Sequence, residues 1–178
     1  IDEASYGPEH PNVATALNNL AQLLKATNRL GEAEPLMRRA LAIDEASFGP
    51  EHPAAARDLN NLAQLLKATN RLGEAEPLMR RALEIDEASY GPEHPGVARD
   101  LNNLARLFQD TNRLAEAEPL MRRAVEIFLL FGLRTGHEHP NAEVVLGNYR
   151  SLLAAQGKTP EEVEAALEAV AAEVKAKR

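Results

Sequence analysis

Apolar residues recur along this chain at the spacing of one helix face. Val13, Leu17, Leu20, Ala21 and Leu24 fall three or four residues apart, with polar residues between them, which predicts a helix with a single buried stripe. After a short break comes a second stripe: Ala33, Leu36, Met37, Ala40, Leu41 and Ile43. Pro11 suits the first position of the first helix, where its missing N–H would have no partner. Asn28 closes that helix, because Asn tolerates the left-handed conformation in which helices end. Arg29-Leu30 then opens a tight turn. The second helix stops near Ser47, and Phe48-Gly49-Pro50 breaks it. Pro35, just past its first turn, forfeits at most one hydrogen bond and bends it slightly at most.

The pair then repeats. Glu9-His10-Pro11 returns as Glu51-His52-Pro53 and Glu93-His94-Pro95, each 42 residues on, and in degraded form as Glu138-His139-Pro140, three residues late. Leu17-Asn18-Asn19-Leu20-Ala21 returns at residues 59–63 and 101–105, and the segment 32–40 at 74–82 and 116–124. The expected organisation is the end of a preceding repeat at 1–10, repeats at 11–52 and 53–94, a third at 95–139 carrying the insertion, and a divergent fourth with a capping helix at 140–178. Residues 1–7 match the end of a second helix, so the chain reads as a piece of a longer array. One helix pair cannot bury both faces, so stacked pairs are expected to form a superhelix with a concave and a convex wall.

Residues 141–155 retain a first helix. Thr159-Pro160-Glu161-Glu162 then starts another, with Thr as cap and Glu three residues later. Val163, Leu167, Val170 and Val174 give it an apolar stripe, and Lys175, Lys177 and Arg178 at its end suit the helix dipole.

Composition narrows the function. The chain has 178 residues, no Cys or Trp, and a formal charge of -7. Disulfides and thiolate metal sites are excluded. General nucleic-acid binding, which neutralises phosphates with Lys and Arg, is disfavoured, and no apolar run is long enough to span a bilayer. A cytoplasmic protein is the default expectation. No nucleophile–base pair, phosphate loop or two-carboxylate cleft is recognisable, so neither an enzyme nor a cofactor is expected. The His-Pro histidines lie one repeat apart. Packed helices are about 8–10 Å apart and zinc bonds about 2 Å long, so the series cannot share one ion; no metal is expected, and helix-start packing is their reading. Arg38-Arg39 and its copies read as a solvated face.

Leu17, Leu20, Ala21, Leu24, Ala33, Met37 and Ala40 resemble the tetratricopeptide repeat (TPR) consensus. The 42-residue period, the His-Pro start, Leu-Asn-Asn-Leu-Ala and Glu-Ala-Glu-Pro-Leu are similar to the kinesin light chain subclass of that family, over residues 1 to about 156. Met37, Met79 and Met121 depart from it, standing where the subclass often has Tyr. The resemblance implies an all-α fold, a right-handed superhelical solenoid of antiparallel helix pairs, whose first helices line a concave wall. It implies a module that holds a protein or peptide.

On that wall the inward set is expected to be Asn18, Asn19, Gln22 and Lys25; then Arg57, Asn60, Asn61, Gln64 and Lys67; then Arg99, Asn102, Asn103 and Arg106, with Asn148 continuing the row. Asn amides can bond an extended peptide backbone, and arginines can grip carboxylates, so the expected ligand is an acidic, extended peptide. The alternative for each Asn pair is bonding between adjacent helices; members of a pair point about 100° apart and need not share one role. A rival function is a structural or self-associating array without a groove ligand, and a third is regulation of a catalytic domain elsewhere. The run Ile127-Phe128-Leu129-Leu130-Phe131-Gly132-Leu133 is more apolar than one face needs. Phe128, Leu129, Phe131 and Leu133 either form a partner interface or pack under the C-terminal helices.

Overall fold

The computed structural model describes residues 7–176. The end-of-repeat reading at the N-terminus and the basic Lys177 and Arg178 lie outside them. Among the described residues the chain forms eight α-helices and no strand: α1 Pro11–Ala26, α2 Leu30–Phe48, α3 Pro53–Ala68, α4 Leu72–Tyr90, α5 Pro95–Asp110, α6 Leu114–Thr135, α7 Ala142–Ala155 and α8 Pro160–Ala176. They fall into two compact units, one up to Ser89 and one from Tyr90.

The helices begin and end where local chemistry requires. His10, His52 and His94 are the N-caps of α1, α3 and α5; each imidazole Nδ1 accepts from a backbone N–H two residues on, at 3.0–3.1 Å, with proline in the first helical position. His139 accepts in the same way from Asn141, at 3.2 Å. Aromatic rings lie against these caps, Phe48 on His52 and Tyr90 on His94. Asn28, Asn70 and Asn112 take φ values of 59°, 61° and 57°. Each sits between paired hydrogen bonds, Asn28 N–H to Lys25 and Arg29 N–H to Leu24 in the first instance. That pattern closes a helix with its last carbonyls satisfied.

In the first unit, Val13, Ala14 and Leu17 of α1 pack with Ala40 and Ile43 of α2. Ala56 and Leu59 of α3 pack with Ala82 and Ile85 of α4, and Leu41 of α2 lies against that cluster. One expectation is corrected. Leu20, on the stripe expected to face the core, is 38% exposed, and Leu23 is 61% exposed. Their counterparts Leu62 and Leu65 are 1% exposed. The residues and helix position are identical; α3 has α1 and α2 packed beside it, whereas nothing described covers this side of α1.

A second correction concerns the repeated Arg pairs. Arg38 pairs with Glu34 at 2.7 Å on the surface. Arg39, Arg81 and Arg123 are half-buried and donate to the carbonyls of Pro8, Pro50 and Pro92. They tie down the loops that precede the His-Pro starts and are not simply a solvated face.

In the second unit α5 and α6 form a hairpin, and α7 and α8 pack on α6. Thr159 and Glu162 form the reciprocal cap expected of them: Thr159 N–H donates to Glu162 at 2.8 Å, and Glu162 N–H to the Thr159 hydroxyl at 3.3 Å. Val163, Leu167, Val170 and Val174 are buried.

Candidate functional site

The paired asparagines divide by role. In the first unit Asn18 is buried, and its Nδ2 donates to Asp58 Oδ1 at 2.7 Å. Asn60 is buried as well and has a bonding partner. In the second unit Asn102 is buried and accepts from Asn148 Nδ2 at 2.8 Å. Asn18, Asn102 and Asn148 thus bond helix to helix. Their neighbours differ. Asn19 is exposed, and Asn61 and Asn103 are half-exposed. None of the three has a hydrogen-bond partner among the described residues, and the Nδ2 of Asn103 is shielded from water as well. A shielded amide donor without a partner forgoes a bond worth about 1 kcal/mol or more.

Around Asn19 and Asn61 lie Gln22, Gln64, Lys25 and Lys67. Lys25 Nζ donates to Gln64 Oε1 at 3.3 Å, which fixes α1 and α3 side by side on this strip. Partial burial lowers the Lys25 pKa. In the second unit Asn103 shares α5 with Arg106, which is exposed and forms no ion pair among the described residues.

The arginines expected to grip carboxylates are held by the protein itself. Arg57 Nη2 meets Asp44 Oδ2 at 2.8 Å and its Nε meets Asp58 Oδ1 at 3.0 Å. Arg99 Nε meets Asp100 Oδ1 at 2.9 Å. Asp44, Asp58 and Asp100 are buried, so Arg57 offers no net positive charge to a ligand. Burial pushes the Asp58 carboxyl up to about 6 against the opposing pull of Arg57, with Asp44 adding to the rise. Sequence reasoning missed these aspartates. The available signal was position: Asp58 stands three residues after Ala55 and four before Leu62, on the apolar stripe of α3.

The apolar segment at the end of α6 divides too. Ile127 and Phe128 are buried, while Leu129, Phe131 and Leu133 are half-exposed. Phe128 and Phe131 both lie against the His139 ring, at 4.7 and 5.2 Å between centroids. The segment thus packs with the start of the divergent helices yet leaves apolar surface open. On α7, Tyr149 is buried and its hydroxyl donates to Glu118 at 2.9 Å; burial and that carboxylate raise its pKa.

The tetratricopeptide repeat family model matches residues 1–46, 29–88 and 71–129. The chain belongs to the tetratricopeptide repeat family. Its all-α fold of stacked helix pairs is the TPR solenoid class, and such repeats are in general protein-interaction modules. Among solved structures, BtubC (BKLC) from P. vanneervenii is similar, with a TM-score of 0.76 and 24% identity over 94% of this chain. The TPR chain spans 65% of that protein's length. A Podosopora anserina putative kinesin light chain with nearly identical TPR-like repeats gives a TM-score of 0.60 at 20% identity, covering 94% of this chain and 97% of that one. No curated protein matches. No helix of the described residues is long and apolar enough to cross a membrane.

Proposed function

We propose that the chain is a non-catalytic protein-binding module whose polar strips take an extended peptide. Within the first unit the contacts come from Asn19, Gln22, Asn61 and Gln64; within the second, from Asn103 and Arg106. The supporting observation is the regular split of the asparagine pairs. Asn18, Asn60 and Asn102 are buried and engaged within the fold, while Asn19, Asn61 and Asn103 have no hydrogen-bond partner among the described residues. An amide both donates and accepts, as a peptide backbone requires. Preference for acidic side chains rests on Arg106, because Arg57 and Arg99 already pair with aspartates.

The test is a peptide array probed with wild type and with Asn19→Ala/Asn61→Ala, both within the first unit, followed by fluorescence polarisation on the peptides captured. Two lost amide contacts at about 1 kcal/mol each weaken binding by about tenfold or more, with the melting temperature unchanged. Peptides that keep full affinity for the double variant refute the strip.

A second reading, a self-associating array, is favoured by one observation: the exposed Leu20 and Leu23 on α1. Sedimentation of the wild type over a range of concentrations distinguishes it, since it requires the molecular mass to rise.

A further inference from the structure

A pocket of about 320 Å³ lies in the second unit, where the end of α6, the loop after it, the start of α7 and the end of α8 converge. Phe128, Leu129, Leu133, Leu146 and Val174 form its walls. It exists because of the two departures from the repeat: the apolar run replaces the polar helix end seen at residues 85–89, and the three-residue insertion lengthens α6. A cavity of about 150 Å³ already holds benzene, so this one has room for an indole ring. Its mouth carries Glu138, Glu143, His137 and Lys175. None of the two carboxylates and the ammonium has a partner among the described residues. Two carboxylates thus stand against one ammonium at this mouth.

We propose that this pocket is a second protein-contact site, separate from the polar strips, which takes one bulky apolar side chain of a partner with a basic residue beside it. The apolar walls remove the side chain from water, as a central anchor residue requires. The carboxylates select the neighbouring positive charge and disfavour an acidic one. An acidic extended peptide on the strips and an apolar–basic anchor here are distinct chemistries, so the two sites do not compete for one motif.

The test titrates the 15N-labelled full chain with N-acetyl-tryptophanyl-lysine amide and watches the amides of Gly132, Gly136 and Leu146. The expected result is saturable shifts at these positions, with the corresponding tryptophanyl-glutamate amide binding about two- to fivefold more weakly. Two variants fill the space from opposite walls. At Gly132 an added Cβ meets only the His137 carbonyl oxygen, at 3.7 Å, so Gly132→Leu projects into the cavity without forcing the backbone. Glycine is unfavourable inside a helix, so this variant keeps or raises the melting temperature. Ala171→Leu does the same from α8. Loss of the saturable shifts in either folded variant supports the pocket. Absence of saturation in the wild type, or shifts that persist in both variants, overturns the site; equal binding of the lysine and glutamate probes overturns its charge preference.

Discussion

Asp58→Asn tests whether the buried aspartate at the α1–α2–α3 joint binds a proton in the folded state. Asp58 Oδ1 accepts from Asn18 and Arg57, while its Oδ2, like Oδ1 of Asp44, is buried without a donor. Two buried carboxylates thus share one half-exposed guanidinium, and burial pushes Asp58 from 3.8 up to about 6. The folded state therefore holds a proton over a pH range in which the unfolded chain has released it. A raised folded pKa contributes stability that is fully present below the unfolded value and is lost as pH rises through the folded one. A shift of about two units corresponds to about 3 kcal/mol, at 1.36 kcal/mol per unit. Asn keeps the shape and the acceptor for both donors, adds a donor in place of Oδ2, and cannot ionise. Urea denaturation followed by circular dichroism at 222 nm, from pH 4 to 7.5, measures both proteins. The wild type should lose about 2 kcal/mol relative to Asp58→Asn between pH 4 and 7, the rest having gone already as pH rises past the unfolded value. Taking the difference cancels the surface carboxylates, such as Glu32 and Glu74, which Arg29 and Arg71 hold below their usual range and which act in the opposite sense. A flat difference, or one in which the wild type gains as pH rises, refutes the proton assignment.

Leu65→Ala removes a residue 1% exposed and should cost about 3 kcal/mol, while Leu23→Ala, the same change one repeat earlier at a residue 61% exposed, should cost less than about 0.5 kcal/mol; equal costs in chemical denaturation would mean that the α1 face is covered in solution. His52→Ala removes the α3 cap and the ring against Phe48 and should destabilise by about 1–2 kcal/mol. His52→Asn, which restores an oxygen acceptor, should recover most of that; no recovery in thermal melts would place the histidine's contribution in the ring contact alone.

The repeat sequence by itself determined the helices, their ends and their pairing, because each is a local property. A His-Pro step supplies a side-chain acceptor and a preset φ, Asn28 supplies a tolerated positive φ, and spacing of three and four draws the buried stripe. The capping box at Thr159 is legible for the same reason. What lies beyond that local range was not. Asn18 and Asn19 are chemically the same, and only the approach of Asp58, forty residues away, makes one a structural bond and leaves the other on the surface. Arg57 looks like a ligand contact until Asp44 and Asp58 fold in beside it. Leu20 and Leu62 carry the same pattern, yet only Leu62 has a neighbouring hairpin over it. The pocket behind Phe128 required three helices to meet around an insertion. In each case burial and hydrogen-bond pairing depend on which surfaces come together, and that is decided by tertiary packing.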